Sequence, residues 1–482
     1  MPIVLLGCTV GPDYQAPQAP AVDHFTEAAL PGSTVGAGGV AQKFTNGQDI
    51  AGDWWTAFHS PQINTLVATA FAANPDLAAA QATLREAVDT QQAEQGSLFP
   101  KLTANLAAQR QQSSLATQGF GKGSKTLSVY SGSLGVSYTL DAFGGVQRQI
   151  EQLGAQVDYA RYELEASYLA LSANVVSTAI KMASLQDQIA ASETILADYN
   201  QALDLTQKRF ALGAVSRVDV LQQQALRDAQ AATIPALRKQ WQQTRNQLAI
   251  YLGHRPADAN LPALHLSDLT LPPEVPVSLP SKLVEQRPDI QAYAALVHAA
   301  SAQVGVATAN LLPQISLTGS YGRSGTNFDN LFTPGGIVWS LASSLAQPIF
   351  DGGTLRARQR AAKEAFAVAA AQYSSTVNTA FQNVADSLVA IERDAETLQA
   401  SQQSAQTAAA SLAVARAQYR EGGSTYLNVL TAEQAEQSAR LNLVSAQAAR
   451  LTDTVALFQA LGGGWWNRTD IQSTAPCCGV AR

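Results

Sequence analysis

Asn74-Pro75-Asp76-Leu77 and Leu98-Phe99-Pro100-Lys101-Leu102 return later in the chain as Arg287-Pro288-Asp289-Ile290 and Leu311-Leu312-Pro313-Gln314-Ile315. Pro288 follows Pro75, and Pro313 follows Pro100, by the same 213 positions. A second pair lies further on, where RFALGAVSRVDVL (209–221) is answered by QYREGGSTYLNVL (418–430) at an offset of 209. Phe210 then matches Tyr419, Gly213 matches Gly422 and Val220 matches Val429, and Leu252-Gly253 matches Leu461-Gly462. Self-similarity over so long a period is a duplicated supersecondary unit, not a short-repeat solenoid.

Within each copy the apolar period changes in the same order. Ile63, Leu66, Val67, Ala70 and Phe71 recur at helical spacing, and Pro75 sits where a second helical segment starts. After Pro100 the period becomes two. Leu102, Ala104 and Leu106 alternate with Thr103 and Asn105, and after a Gly-rich loop Leu134, Val136, Tyr138 and Leu140 alternate with Gly135, Ser137 and Thr139. This predicts a β-hairpin at about 101–140. The second copy predicts another at about 314–348, with Ile315, Leu317, Gly319 and Tyr321 opposed to Ser316, Thr318 and Ser320. Strands with one apolar and one small polar face fit the rule for transmembrane β-barrels.

Prolines are absent between Pro100 and Pro235 and between Pro348 and Pro476. Long helices are expected over 144–213 and 352–421, 70 positions each, or roughly 105 Å at 1.5 Å per residue. Return helices are expected over 216–252 and 425–461, the first kinked at Pro235. The predicted organisation is an arm (9–59), repeat 1 (60–256), a linker (257–281), repeat 2 (282–464) and a tail (465–482).

Composition narrows the function. The chain is 46% hydrophobic but only 7% aromatic and 14% charged, which suits long helices packed through small side chains. A net charge of −6 without any Lys/Arg-rich run argues against nucleic acid. His24, His59, His254, His265 and His298 are scattered without metal-ligand spacing. Gly121-Lys122 does not complete a phosphate-binding loop, because Ala116 stands where the leading Gly is needed. No apolar run reaches the roughly 20 residues of a membrane-spanning helix, so any spanning elements are the strands. Four strands cannot close a barrel, and open strand edges are not tolerated in hydrocarbon. A trimer would supply twelve strands, enough to leave a lumen.

Val4-Leu5-Leu6-Gly7-Cys8 resembles a bacterial lipobox, in which Cys8 is lipidated and becomes the mature N-terminus. The basic segment expected of a signal peptide is missing before it, which points to a start further upstream. Cys477-Cys478 reads as part of an unstructured tail.

The motifs CTVGPDYQAP, DWWTAF, NPDL, LFPKL, LDAFGG, IYLGHRP, EQRPDI, LLPQISL, PIFDGG and NVLTAEQ occur in order over nearly all of residues 8–465. With the duplicated hairpins and helical turns, they resemble the outer membrane factor family of Gram-negative channel-tunnels, in its lipoprotein branch that serves resistance-nodulation-division efflux pumps. The resemblance implies a mixed α/β membrane protein: a homotrimeric, 12-stranded β-barrel continued by a periplasmic α-helical barrel. It implies a passive duct without enzymatic chemistry, and no cofactor beyond a covalent lipid on Cys8. The implied partners are outer-membrane lipid, a periplasmic membrane-fusion adaptor and an inner-membrane transporter. It assigns the periplasmic gate to Tyr426, Leu427, Asn428 and Thr431, with Leu427 as an apolar plug. Family members often carry Asp where this chain has Asn428 or Thr431, leaving Asp219 as the nearby carboxylate. The adaptor would meet Gly213, Ala214, Val215 and Ser216 in one turn and Gly422, Gly423, Ser424 and Thr425 in the other. The same residues also read as ordinary helix caps. Type I protein secretion and a poreless coiled-coil stalk are the competing readings.

Overall fold

The computed structural model describes residues 9–18, 20, 22, 24–27, 31–36, 41–114 and 123–468. Cys8, the tip of the first hairpin loop and the Cys477-Cys478 tail lie outside the described residues. The chain forms two compact units, each drawing on both copies, and the boundary between them falls inside four helices.

The first unit contains a four-stranded antiparallel sheet in the order β2 (Lys101–Ser114), β3 (Ser124–Leu140), β5 (Gln314–Gly325) and β6 (Ile337–Ala346). Its register shows why the sequence alternates. Leu106 lies opposite Gly132, Ala104 opposite Leu134 and Leu102 opposite Val136; Leu134 in turn faces Tyr321, which faces Trp339. Paired residues share a face, so these side chains form one apolar surface. Trp339 and Leu341 are 72% and 81% exposed on it. The other surface is small and polar through the middle of the sheet, carrying Thr103, Gly135, Ser320 and Ser340 in one row, with Leu127, Val129 and Val338 towards its far end. Hydroxyl pairs Ser316–Ser344 (2.7 Å) and Ser320–Ser340 (2.9 Å) lie along it. The edges of β2 and β6 have no strand partner among the described residues. The strands run to 14 and 17 residues in copy one but 12 and 10 in copy two. The shorter second hairpin accounts for the drop in repeat offset from 213 to 209.

The long helices are α3 (Gly145–Ala211) and α7 (Thr354–Arg420), 67 residues each, slightly shorter than the 70 expected. The difference lies mostly in the glycine punctuators: Gly144, Gly213, Gly352 and Gly353 adopt left-handed backbone and stand outside the helices. The return helices α4 (Arg217–Tyr251) and α8 (Tyr426–Ala460) have 35 residues each, and α4 continues through Pro235. One 18-residue window of α3 has a mean hydropathy of 1.2, but 61% of it is buried within the chain. It is a packing segment by that measure.

In the second unit the two copies close on themselves by equivalent contacts. Asn74 precedes α2 (Pro75–Gln95), and its Nδ2 donates to the Tyr251 carbonyl (2.9 Å) at the end of α4. At the matching position, before α6 (Pro288–Ala309), Arg287 Nη1 donates to the Ala460 carbonyl (3.0 Å) at the end of α8. Each satisfies a C-terminal carbonyl that the helix leaves orphaned. Gly253 and Gly462 follow those helix ends with positive φ. A Cβ on Gly253 would lie 2.1 Å from the carbonyl oxygen of Ala73, the last residue of α1 (Pro61–Ala73). Gly462 faces Gln286, which ends α5 (Pro280–Gln286), in the same way. Gly253→Leu is therefore expected to cost about 3 kcal/mol or more, read as a large fall in the thermal unfolding midpoint.

Two features depart from the sequence reading. The arm and the linker are not plain coil: β1 (Lys43–Asn46) pairs in parallel with β4 (Glu274–Val277), burying Phe44, Val275 and Val277. The start of the tail is also packed. Trp465 Nε1 donates to the Gln286 carbonyl (2.6 Å), and the Arg468 guanidinium lies 4.2 Å from the Tyr168 ring centroid and 5.1 Å from that of Phe71.

The linker docks on α3 through His265, whose Nδ1 is 2.6 Å from Asp187 Oδ1, while Leu266 N donates to Asp187 Oδ2. The hydrogen bond to Asp187 raises the His265 pKa, against a smaller opposing desolvation. The folded value exceeds the unfolded one, so this contribution is full below about pH 6.5 and is lost as pH rises through the folded value. Hydrogen exchange in 264–269 should accelerate, relative to the α3 core, as pH is raised from below about 6.5 through the folded value.

Candidate functional site

The two helical turns that the duplication predicts are built alike at the backbone. After α3, Gly213 N donates to Phe210 O (2.9 Å) and Ala214 N to Arg209 O (2.9 Å). After α7, Gly422 N donates to Tyr419 O (3.2 Å) and Gly423 N to Gln418 O (2.8 Å). Both are Schellman closures with the left-handed residue at C′, where glycine avoids Cβ strain. A Cβ on Gly213 or Gly422 would meet nothing within 4 Å, so only their backbone conformation demands glycine. The surrounding face is open.

The caps of the return helices differ. Ser216 caps α4 in a complete capping box: Asp219 N donates to Ser216 Oγ (3.3 Å) and Ser216 N to Asp219 Oδ2 (2.8 Å). Asp219 is thus engaged as a cap and not left as a free carboxylate. Its counterpart in copy two is Asn428, whose amide donates to Ser424 Oγ (2.9 Å), and Thr425 caps α8 without a side-chain bond. Asn428 turns its amide to Ser424 instead of accepting from the Thr425 backbone, and no capping box forms.

The four gate positions divide between two faces of α8. Tyr426 is buried, its Oη donating to Gln223 Oε1 (2.5 Å) and lying 3.3 Å from Thr206 Oγ1. Its ring sits 5.1 Å from Tyr419, above which lies the Arg209 guanidinium. Burial pushes the Tyr426 phenol up to about 12, so it stays a neutral donor. Tyr426 therefore joins α8 to the first-copy hairpin. Leu427, Asn428 and Thr431 are exposed, Leu427 by 60%. Asn428 and Thr431 border a groove of about 600 Å³ between α7 and α8, together with Thr407, Ser411 and Val414.

Further along α8 the same contact face remains polar. Glu433 is 3% exposed and pairs with Arg416 at 3.0 Å, and burial raises its pKa. Tyr199 donates to Gln437 Oε1 (3.1 Å), Gln437 bonds to Gln230, and Gln230 donates to the Ser192 carbonyl (3.0 Å). This ladder was not legible in the sequence, where Gln and Ser are too common to single any out. The exposed Leu212 (84%), Val218 and Leu221 around the first turn were missed too. Their signal was present: leucine directly before the C′ glycine and apolar residues in the first turn of α4.

The model of the outer membrane efflux protein family matches residues 66–254 and 279–463, one stretch in each copy. The antibiotic efflux pump outer membrane protein ArpC of Pseudomonas putida is 32% identical over 471 residues, covering 97% of this chain and 94% of that one. Nodulation protein T of Rhizobium leguminosarum bv. trifolii is 29% identical over 483 residues, covering 96% of each. Among solved structures, the outer-membrane channel OprN superposes with a TM-score of 0.86 at 28% identity, covering 95% of this chain and all of that one. The open state of the Neisseria gonorrhoeae MtrE outer membrane channel gives 0.82 at 28% identity, covering 96% and 100%.

Proposed function

The chain belongs to the outer membrane efflux protein family, and from that premise we propose that it is the gated exit duct of a tripartite efflux pump. The observation that supports this best is the two-faced sheet whose edges have no strand partner among the described residues. Its apolar surface suits lipid, its row of Ser and Thr suits water, and its open edges call for further copies. Three copies would close twelve strands around a lumen. The long helices would continue the duct through the periplasm. There Leu427 from each copy would plug it, while the open face around Gly213–Ser216 and Gly422–Thr425 would receive a membrane-fusion adaptor. That adaptor would link the duct to a resistance-nodulation-division transporter in the inner membrane. A lipid on Cys8 would add a second hold on the outer membrane. Drugs or other small toxic compounds are the expected cargo, as the efflux relatives' names indicate for those proteins.

The deciding experiment is single-channel conductance in a planar bilayer, with oligomer mass measured in the same detergent. A trimer of small conductance, raised by Leu427→Ser, is the expected result. A monomer that conducts nothing would return the poreless stalk reading to the front. For the adaptor face, Gly422→Trp should abolish drug resistance while trimer yield stays normal. A matching loss of trimer would reduce that turn to a helix cap.

A further inference from the structure

Between the end of β6 at Ala346 and the start of α7 at Thr354, Ile349 and Phe350 are 92% and 91% exposed. They follow directly on the strand whose Trp339, Leu341 and Leu345 stand exposed on the apolar face of the sheet. Within about three turns of helix beyond them come Arg356, Arg358, Arg360 and Lys363, all exposed. At about 100° per residue, Arg356, Arg360 and Lys363 fall within about 60° of one another, and Arg358 points away. The helix rests on α6 by a different side: Gln359 Nε2 donates to Thr308 Oγ1 (3.0 Å), and Ala362 packs with Val304 and Ala307. The basic stripe therefore looks outward.

Little nearby charge opposes it. Asp351 has both oxygens taken by backbone, Oδ1 accepting from Gly353 N (2.8 Å) and Oδ2 from Leu355 N (2.8 Å). Glu364 is the single carboxylate in 352–364. The ion pairs of α7 among the described residues are made by Arg393 and Arg416, further along. The first copy has no such stripe. Counted from the first residue of each helix, α3 carries Gln147, Gln149, Glu151 and Gly154 at the four matching positions. Its one early arginine, Arg148, is buried and pairs with Asp13 and Glu151. Building the helix start does not require the cations.

We propose that Ile349, Phe350 and the stripe of Arg356, Arg360 and Lys363 form a binding site for the phosphate headgroup of an anionic phospholipid, one site per chain. The site rests on the reading that the apolar face of the sheet meets lipid. Aromatic side chains at the end of a spanning strand sit at headgroup level, and cations directly beyond them attract anionic lipid. The stripe covers about 10 Å of helix axis. A headgroup layer is about 5–8 Å deep, and the long stems of Arg and Lys reach back over such a gap. Arginine can grip a phosphate through two parallel N–H donors. A free phosphate would use the cations alone, whereas the exposed Ile349 and Phe350 favour a ligand that brings acyl chains.

The test uses the full chain purified as a trimer in nonionic detergent. It is offered an equimolar mixture of phosphatidylglycerol and phosphatidylcholine with identical acyl chains, and native mass spectrometry counts the lipids retained. The parent should keep phosphatidylglycerol in preference. Arg356→Gln, Arg360→Gln and Lys363→Gln together should cut that preference at least about tenfold, since each cation near an anionic surface contributes up to about fivefold. Exchanging Lys208, Arg238 and Arg393 for Gln removes the same charge from exposed positions elsewhere and should leave the preference in place. Where the stripe variant lowers trimer yield, Arg360→Gln alone carries the test, with an expected loss of about fivefold. Inorganic phosphate in excess should not displace the lipid. An unchanged preference in the stripe variant, an equal loss in the control variant, or displacement by inorganic phosphate would overturn the lipid site while the duct reading stands. A chain that yields no trimer and retains neither lipid would instead remove the membrane reading on which the site rests.

Discussion

Leu341→Arg is expected to abolish assembly into the outer membrane, while Ser340→Arg, one residue earlier on the same strand, leaves trimers in place. Leu341 pairs with Gly319 on the apolar face and is 81% exposed in the single chain. Ser340 pairs with Ser320 on the polar face, where their hydroxyls lie 2.9 Å apart. An arginine facing lipid near the midplane of a barrel costs about 2–4 kcal/mol, and threefold symmetry would apply that cost three times. An arginine facing water in the lumen bears no such penalty and should instead lower conductance to cations. Heat-modifiable trimer on a gel, followed by conductance, measures both. Similar yields for the two variants would mean that the sheet does not divide lipid from water along this register.

Tyr426→Phe is the second large effect, and on the proposed gating, which assigns the Tyr426–Gln223 contact to the closed duct, it should open the duct. Removing the phenol oxygen strips Gln223 Oε1 of its donor, and Gln223 Nε2 already has no partner among the described residues. A buried amide left unsatisfied costs about 1–3 kcal/mol, all of it charged to the arrangement in which α8 lies against the first-copy hairpin. The closed form should therefore lose about tenfold in population, relative to the open one, for each 1.4 kcal/mol or so of that cost. The readout is open probability in the bilayer and entry of large antibiotics into cells. Adding Gln223→Leu to Tyr426→Phe replaces both polar partners by apolar ones and should restore closure, since the penalty belongs to the orphaned amide and not to the lost bond. If the double variant stays as open as the single one, Tyr426 acts through its ring packing against Tyr419 instead.

The helical hairpins were legible almost to the residue. Glycine at Gly213 and Gly422, with Ser216 and Thr425 three residues later, marks a left-handed stop and a new cap by local chemistry alone. The hairpin strands were legible because a period of two over ten or more residues leaves few alternatives. The parallel pair of Lys43–Asn46 with Glu274–Val277 was not. Four residues carry too little periodicity, and the partner lies more than 200 positions away. The closure of each copy was hidden for another reason. Asn74 and Arg287 perform the same task, donating to the last carbonyl of the return helix, with side chains that share no obvious likeness.

The residues assigned to the gate show where sequence reasoning stops. Tyr426 and Leu427 are neighbours in the chain, and one resemblance assigned both to the constriction. On a helix, neighbours point about 100° apart, so they cannot face the same surroundings. Which of them turns inward depends on what lies alongside, and the α3–α4 hairpin lies against Tyr426. The sequence alone determined the duplication, the order of helix and hairpin, the glycine turns and the two faces of each strand, because all of these follow from local spacing and backbone sterics. The tertiary structure decided the rest: which face of α8 is contact and which is groove, that Asp219 serves as a cap, and that the arm is seated on Arg148 and His298. Those outcomes depend on partners distant in the chain, and no local pattern records them.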